Sequence, residues 1–239
     1  MSLPAVLITG GTRGIGRACA DALAADHHLI IGGRDARAVD RVCAELPSAS
    51  PFVADLMDED STAAAIEALG IDRLHGLVHS AGISGGCPTE DSTRARWRAM
   101  LEINVVAVSE VTRLLMGPLV AARGTVVMIN SGAGLLATGR GGHYPASKFA
   151  LRALTDVLRQ ELRPDGVRVC SVHPGRVDTD MQRTMQAEAG RDYDPLHHLR
   201  PESVATAVRT ALTATDDATY ETISIRPAPA ATNRPGGWV

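Results

Sequence analysis

A chain of 239 residues with 21% charged residues and a formal net charge of −3 has the length of one large domain and the polarity of an ordinary globular surface, which excludes a disordered or highly charged chain. Its arginines are spread along the chain without a basic block or interleaved aromatics, so no nucleic-acid surface is expected. Hydrophobic residues make up 45% but aromatics only 3%, so Ala, Val, Leu and Ile have to build the core.

From the amino end, strand-like and helix-like patterns alternate almost to the last residue. "PAVLIT" (4–9) is a continuous β-prone run, followed by a glycine-rich turn and an alanine-rich helix from about Ile15 to Ala25. "HLIIGG" (28–33) reads as a second strand, Arg34 to Leu46 as helix, and "PFVA" (51–54) as a third strand. The segment 58–69 opens with acidic residues suited to a helix N-terminus. "LHGLVHSAG" (74–82) is strand then turn, a long helical region runs from about Thr93 to Ala122, and "GTVVMINS" (124–131) is strand. Helix 144–163, strand and turn 166–175, a helix from Pro201 and a last strand at 220–227 complete the series.

Val- and Ile-rich strands alternating with helices predict an α/β fold: one doubly wound, Rossmann-like, mostly parallel sheet with helices on both faces. No linker divides residues 1–226, and 227–239 reads as a Pro/Gly-rich tail. Ligands in such sheets sit beyond the carboxyl ends of the strands. The glycine-bearing and polar stretches after strands one, two, four, five and six therefore belong to one place.

No apolar run approaches the ~18 residues that cross a bilayer, and the start carries no basic leader, so a cytoplasmic protein without a membrane partner is expected. Four scattered cysteines without a CxxC read as buried thiols. The adjacent histidines 27–28 and 197–198 cannot share a helix face, and no metal site is predicted.

"TGGTRGIG" (9–16) follows a strand and opens a helix, the context in which a glycine turn cradles a phosphate. Gly10 suits the tight turn, Gly14 the approach of a pyrophosphate, and Gly16 close packing of helix on sheet, with Thr12, Arg13 and Ile15 between them. Arg34 stands at the end of strand two, where an acidic residue would hold the ribose of NAD. Arg34 and Arg13 together suit a phosphate dianion, which favours NADP(H). Should Asp35 take the ribose instead, NAD(H) remains open.

Lys148 is a single lysine among 24 Lys and Arg residues, and it follows Tyr144 by four positions. That spacing puts both on one side of a helix start, with Pro145 tolerated in the first turn. A phenol titrates near pH 10, too high for general acid–base work at neutral pH, and a nearby ammonium lowers that value. Ser131, closing strand five, could hydrogen-bond a substrate carbonyl, or could simply cap a turn.

Taken in order, "TGGTRGIG", "HSAG", "INVVAV", "INSGAG", "YPASK" and "HPGRVDT" resemble the short-chain dehydrogenase/reductase family over nearly the whole chain. The resemblance implies a seven-stranded Rossmann-like sheet, a nicotinamide cofactor and a homodimer or homotetramer. By it Tyr144 is the acid–base, Lys148 lowers its pKa and holds the nicotinamide ribose, and Ser131 positions the carbonyl. Asn104 matches the asparagine that holds a water next to the lysine, although it could also kink the long helix. Asp55 and Leu56 match the adenine end, Ala81 and Gly82 the adenosine ribose, and Pro174, Gly175, Val177 and Thr179 the nicotinamide carboxamide. Where the family commonly has Asn-Asn-Ala-Gly, this chain has His79-Ser80-Ala81-Gly82, a departure that bears on the sheet rather than the chemistry.

The implied activity is hydride transfer between NADP(H) and a ketone, aldehyde or secondary alcohol. A coenzyme-binding sensor or scaffold and a hydride-recycling epimerase or dehydratase are the alternatives. The segment 180–200 resembles in position the family's substrate lid, polar and expected to move. Leu135, Leu136, His143, Met181 and Met185 are candidate pocket walls, and nothing in them selects a substrate.

Overall fold

The computed structural model describes residues 3–137, 141–188, 190 and 192–228. Within them lie strands β1 (Ala5–Thr9), β2 (His28–Gly33), β3 (Ala49–Val53), β4 (Gly76–His79), β5 (Thr125–Ile129), β6 (Arg168–Pro174) and β7 (Thr222–Ile225). They form one seven-stranded sheet in the order β3-β2-β1-β4-β5-β6-β7, with every neighbouring pair parallel. Of the expected tail, residues 229–239 lie outside the described residues.

The helices are α1 (Gly14–Leu23), α2 (Ala36–Glu45), α3 (Glu59–Leu69), α4 (Arg94–Leu101), α5 (Ala107–Leu114), α6 (Met116–Ala122), α7 (His143–Leu162), α8 (Asp180–Glu188) and α9 (Pro201–Leu212). A strand alternates its side chains between two faces, and here both faces are covered. Val6 and Ile8 of β1 enter a core with residues of α1, α2 and α9, whereas Leu7 enters a second core with α5, α6 and α7. This is why the strands read as unbroken apolar runs rather than as alternation. The core holds almost no aromatic residues, Phe52 being the exception among its buried members.

The strand order reverses between β1 and β4, and the crevice at that switch point is where ligands of such sheets bind. Thr9 closes its floor. One hydroxyl accepts from the Ser80 and Ala81 amides at 3.1 and 3.2 Å and reaches the Val78 carbonyl at 3.4 Å. His79 stabilises the same corner from below. Its Nε2 lies 2.9 Å from Thr112 Oγ1, whose proton goes to the Val108 carbonyl at 2.8 Å, so Nε2–H donates. Burial holds this imidazole down to about 3, a neutral ring that ties β4 to α5.

The long helical region predicted for 93–122 is divided. Between α4 and α5 runs one π turn, Glu102–Val106, in which the Ala107 amide reaches back five residues to Glu102. The chain bends by 61° between Arg94–Leu114 and Met116–Ala122. Among the described residues no single helix is long and apolar enough to cross a membrane.

The segment after β6 leaves and returns through a zipped stem. Leu199 N–H donates to the Arg176 carbonyl and Asp178 N–H to the Leu199 carbonyl, both at 2.8 Å, forming a bridge between Val177 and Leu199. The four cysteines are free; Cys19, Cys87 and Cys170 are buried as expected, but Cys43 is partly exposed.

Candidate active site

The glycine turn closes on itself. Gly10 and Gly14 have φ of +64° and +54°, a region that penalises a Cβ. A Cβ on Gly16 would sit 2.2 Å from the Gly10 carbonyl oxygen, and one on Gly10 would strike the backbone of Ala81 at 2.9 Å. The turn therefore leaves backbone, not side chain, facing the crevice. α2, α3 and α4 are capped by Asp35, Asp58 and Thr93, but α1 has no side-chain cap and no acid in its first turn. Uncapped amides at the positive end of a helix dipole, beside a crevice, fit a phosphate group.

The residues expected to meet the adenosine sit beside this turn and at the ends of β2 and β3. Thr12 packs against Gly33 at the end of β2. Arg13 and Arg34 are both exposed, and neither forms an ion pair among the described residues. Asp35 is already engaged, accepting from the Arg37 and Ala38 amides at 3.0 and 3.3 Å. Asp55 is exposed beyond β3, where its carboxylate accepts from the Met57 amide at 3.1 Å; the cap of α3 is Asp58, not Asp55. Leu56 packs partly buried against the second core.

Three further predicted groups converge between β5 and the start of α7. Ser131 follows β5 and caps a short 3-10 turn, Gly132–Gly134, by accepting from the Ala133 amide at 3.1 Å. Its hydroxyl also acts on the Tyr144 phenol, opposing the effect of burial there. Lys148 is buried, at 7% exposure, and its Nζ donates to the Ile129 carbonyl at 3.0 Å while lying 6.0 Å from the centre of the Tyr144 ring. Of the two readings of Ser131, substrate-carbonyl partner and turn cap, the turn cap is the one present here.

The depression of the phenol's pKa that the Tyr-x-x-x-Lys spacing predicts is not found. Burial pushes Tyr144 above its ordinary value, and the only opposing influence is the hydrogen bond with Ser131. Burial also pulls the Lys148 ammonium down to about 8. The physical reason is geometric: the ammonium spends a donor on a main-chain carbonyl and stands over the ring. Desolvation then dominates both groups.

Asn104 sits inside the π turn, fully buried. Its Oδ1 accepts from the Ile83 amide at 3.0 Å, and its Nδ2 lies within 3.1 Å of the Ile83 carbonyl, Met100 Sδ and Ser147 Oγ. Ser147 in turn donates to the Tyr144 carbonyl at 2.8 Å. The Nδ2 donors are thus taken up by protein, whereas Oδ1 keeps one acceptor position. The helix distortion expected as its other reading is present. Gly82 faces it so closely that a Cβ would stand 2.9 Å from Asn104 Oδ1.

Pro174, Gly175 and Val177 end β6 and enter the stem, with Gly175 N–H donating to the Ile225 carbonyl at 2.7 Å. Thr179 lies against Gly14, 3.4 Å from where its Cβ would be, so the stem meets the glycine turn. Of the candidate pocket walls, Leu136 and Met181 are exposed, whereas His143 is buried against Trp97 and Ser92 and forms no open wall. Sequence reasoning passes over Thr9, Ser147 and His173. Only the arrangement of distant elements reveals their contacts. Among the described residues no group of three His, Cys, Asp or Glu could hold a metal ion.

Comparison with known proteins agrees with this geometry. A family profile described as short chain dehydrogenase matches residues 4–190. The chain is 33% identical over 203 residues to the 3-alpha-(or 20-beta)-hydroxysteroid dehydrogenase of Mycobacterium tuberculosis, covering 80% of this chain and 77% of that protein. It is 34% identical over 180 residues to the serine 3-dehydrogenase of Agrobacterium fabrum, covering 73% and 72%. The solved structure of a Pseudomonas aeruginosa RhlG/NADP active-site complex superposes with a TM-score of 0.84 at 29% identity, covering 95% of this chain and 96% of that one. This chain belongs to the short-chain dehydrogenase family and is an oxidoreductase of that class.

Proposed function

We propose that this enzyme uses NADP(H) to reduce a ketone or aldehyde, or to oxidise the corresponding secondary alcohol, with Tyr144 as the proton donor and acceptor. The observation that carries this is the meeting of Ser131, Tyr144 and Lys148 between β5 and α7, with the ammonium over the phenol ring and the serine the one group that favours the ionised phenol. When bound, the nicotinamide supplies or accepts the hydride. The glycine turn and the uncapped start of α1 hold its phosphates, and Ala81, Gly82, Pro174, Gly175, Val177 and Thr179 line the rest of the cleft.

In the reductive direction Tyr144 gives its proton to the developing alkoxide. A phenol held above its ordinary pKa is fully protonated at neutral pH and ready to donate. Ser131 directs its hydroxyl at the same point, where it can stabilise negative charge on the substrate oxygen. The buried Lys148 ammonium stabilises the phenolate left behind.

Coenzyme choice follows from Arg13 in the glycine turn and Arg34 at the end of β2, neither of which forms an ion pair among the described residues, and from the use of Asp35 as a helix cap. The solved RhlG relative is an NADP complex. The test is NADPH absorbance with a panel containing a 20-oxosteroid, a 3-oxoacyl thioester and small ketones, repeated with NADH. Turnover with kcat/KM at least tenfold higher for NADPH is expected. Preference for NADH would overturn the coenzyme assignment, and coenzyme binding without turnover of any carbonyl would overturn the activity in favour of a sensor.

We further propose that residues 1–226 act as one catalytic domain with 180–200 as its substrate lid, and that the protein is a cytoplasmic homo-oligomer. The free thiols and the outward Val106, Phe149 and Val157 support the last two points. Light scattering on the purified protein would test self-association, with a monomeric mass as the contrary result.

A further inference from the structure

His173 lies at the end of β6, 1% exposed, and has no part in the chemistry above. Its Nδ1 is 3.0 Å from the Ser131 carbonyl and its Nε2 is 2.8 Å from Ser171 Oγ. A carbonyl can only accept, so Nδ1 carries a proton. Burial, aided by the cations Arg152, Arg226 and Lys148, pulls the ring below its ordinary pKa, against the opposing pull of the Ser131 carbonyl. The ring is therefore neutral, Nε2 is an acceptor, and Ser171 Oγ–H donates to it. Arg226 fixes the same residue from outside, donating to the His173 carbonyl at 2.7 Å.

Around Ser131 the consequence is complete constraint. Its amide donates to Asn130 Oδ1 at 2.9 Å, its carbonyl accepts from Gly134 N–H at 3.0 Å as well as from His173, and its Oγ accepts from Ala133 N–H. One polar atom is left without a main-chain or fixed partner among the described residues, the hydroxyl proton, on the side chain that acts on the Tyr144 phenol. His173 is the one side chain that grips the Ser131 carbonyl from another strand.

We propose that His173 is a positioning residue for Ser131: its Nδ1–H, set by Ser171 on the far nitrogen, holds the serine peptide so that the hydroxyl points at the phenol and the substrate oxygen. This rests on the role given to Ser131 in the proposed function. Residues that act through one another show non-additive losses, whereas a merely structural residue adds its loss to any background.

The experiment places His173→Leu, His173→Asn and Ser171→Ala in wild-type and Ser131→Ala backgrounds. It reads kcat and KM for the best carbonyl of the panel, with NADPH affinity by fluorescence as the check on folding. His173→Leu is expected to lower kcat about 10- to 100-fold with NADPH affinity within twofold. His173→Asn, whose amide can still donate to the carbonyl, should stay within about threefold, and Ser171→Ala should fall between. In the Ser131→Ala background all three should cost nothing further. Equal losses in both backgrounds, or a fully active His173→Leu, would overturn the positioning role alone. A fully active Ser131→Ala would instead overturn the reading of Ser131 on which it stands. Nitrogen-15 NMR of the wild-type imidazole gives a readout independent of turnover: the neutral Nδ1–H tautomer is expected at pH 7, and an Nε2–H tautomer would refute the assignment. The same spectrum decides the matter if His173→Leu does not fold.

Discussion

Two cations anchor opposite ends of the sheet, and they are held in opposite ways. At the amino end Arg209 of α9 grips Asp26, between α1 and β2, through two nitrogens, and also donates to the Ala22 carbonyl at 3.0 Å. Each partner strengthens the other's charge: the arginine is raised, and Asp26 is held far below its usual range, first by the Arg209 hydrogen bond. At the carboxyl end Lys148 is more deeply buried, has among the described residues a single hydrogen-bond partner, the Ile129 carbonyl, and is pulled down to about 8. The paired cation is locked into one charge state and serves structure. The isolated one stays within reach of titration, which is what proton transfer requires and what stability disfavours.

The largest effect should come from Tyr144→Phe. Loss of the acid–base is expected to lower kcat by about 10³-fold or more, at the upper part of the range for such groups, with NADPH affinity within twofold. Retained kcat would break the comparison at its functional end.

Lys148 gives the sharper contrast. Lys148→Arg should lose at least 100-fold in kcat despite keeping its charge, because a planar fork does not replace a compact ammonium. Lys148→Met should be inactive yet more stable. The folded pKa of about 8 lies below the ordinary 10.5. Between these values the unfolded chain therefore binds more protons, and wild-type stability rises with pH there. Below pH 8 the buried charge costs on the order of 3 kcal/mol, so the methionine variant should melt several degrees higher at pH 7. A lower melting temperature would contradict this. Reductase activity should fall as pH climbs through about 8, as the ammonium is lost. An amine-selective reagent can reach only this side chain and the amino terminus, and bound NADPH should slow the inactivation it causes.

Asp26→Asn should do least. Its carboxylate is about half exposed, so solvent screening limits the pair to about 0.5–1 kcal/mol. That contribution is present above the ordinary carboxylate pKa and lost in acid, as pH falls through the depressed value of the folded state. Activity should be unchanged, by the same carbonyl assay. A loss of turnover in this variant would show that the two ends are coupled.

Much of this architecture is legible in the chain itself. Unbroken runs such as "AVLIT" and "TVVMI" announce strands covered on both faces, and "TGGTRGIG" between a strand and a helix announces the phosphate turn. The tyrosine–lysine spacing brings the ammonium over the phenol ring because one helical turn is a local distance. What stays hidden depends on partners far along the chain. The π turn at 102–106 is stabilised by Asn104 reaching Ile83 and Ser147, and no helical periodicity reports it. Thr9 looks like the last residue of a strand until Ser80 and Ala81 are brought beneath it. The direction of the Tyr144 shift is hidden for another reason: spacing gives proximity to a charge but not the desolvation that outweighs it.

The zipped stem of Arg176, Asp178 and Leu199 has an evolutionary corollary. Because the chain departs and rejoins through two hydrogen bonds made by backbone alone, the twenty residues in between can be exchanged, lengthened or rewritten without disturbing β6 or α9. Under the proposed function, the scaffold would thereby keep the apparatus for moving a hydride separate from the surface that recognises its recipient. A new preference can be acquired there as a cassette, leaving the rest of the molecule as it stands.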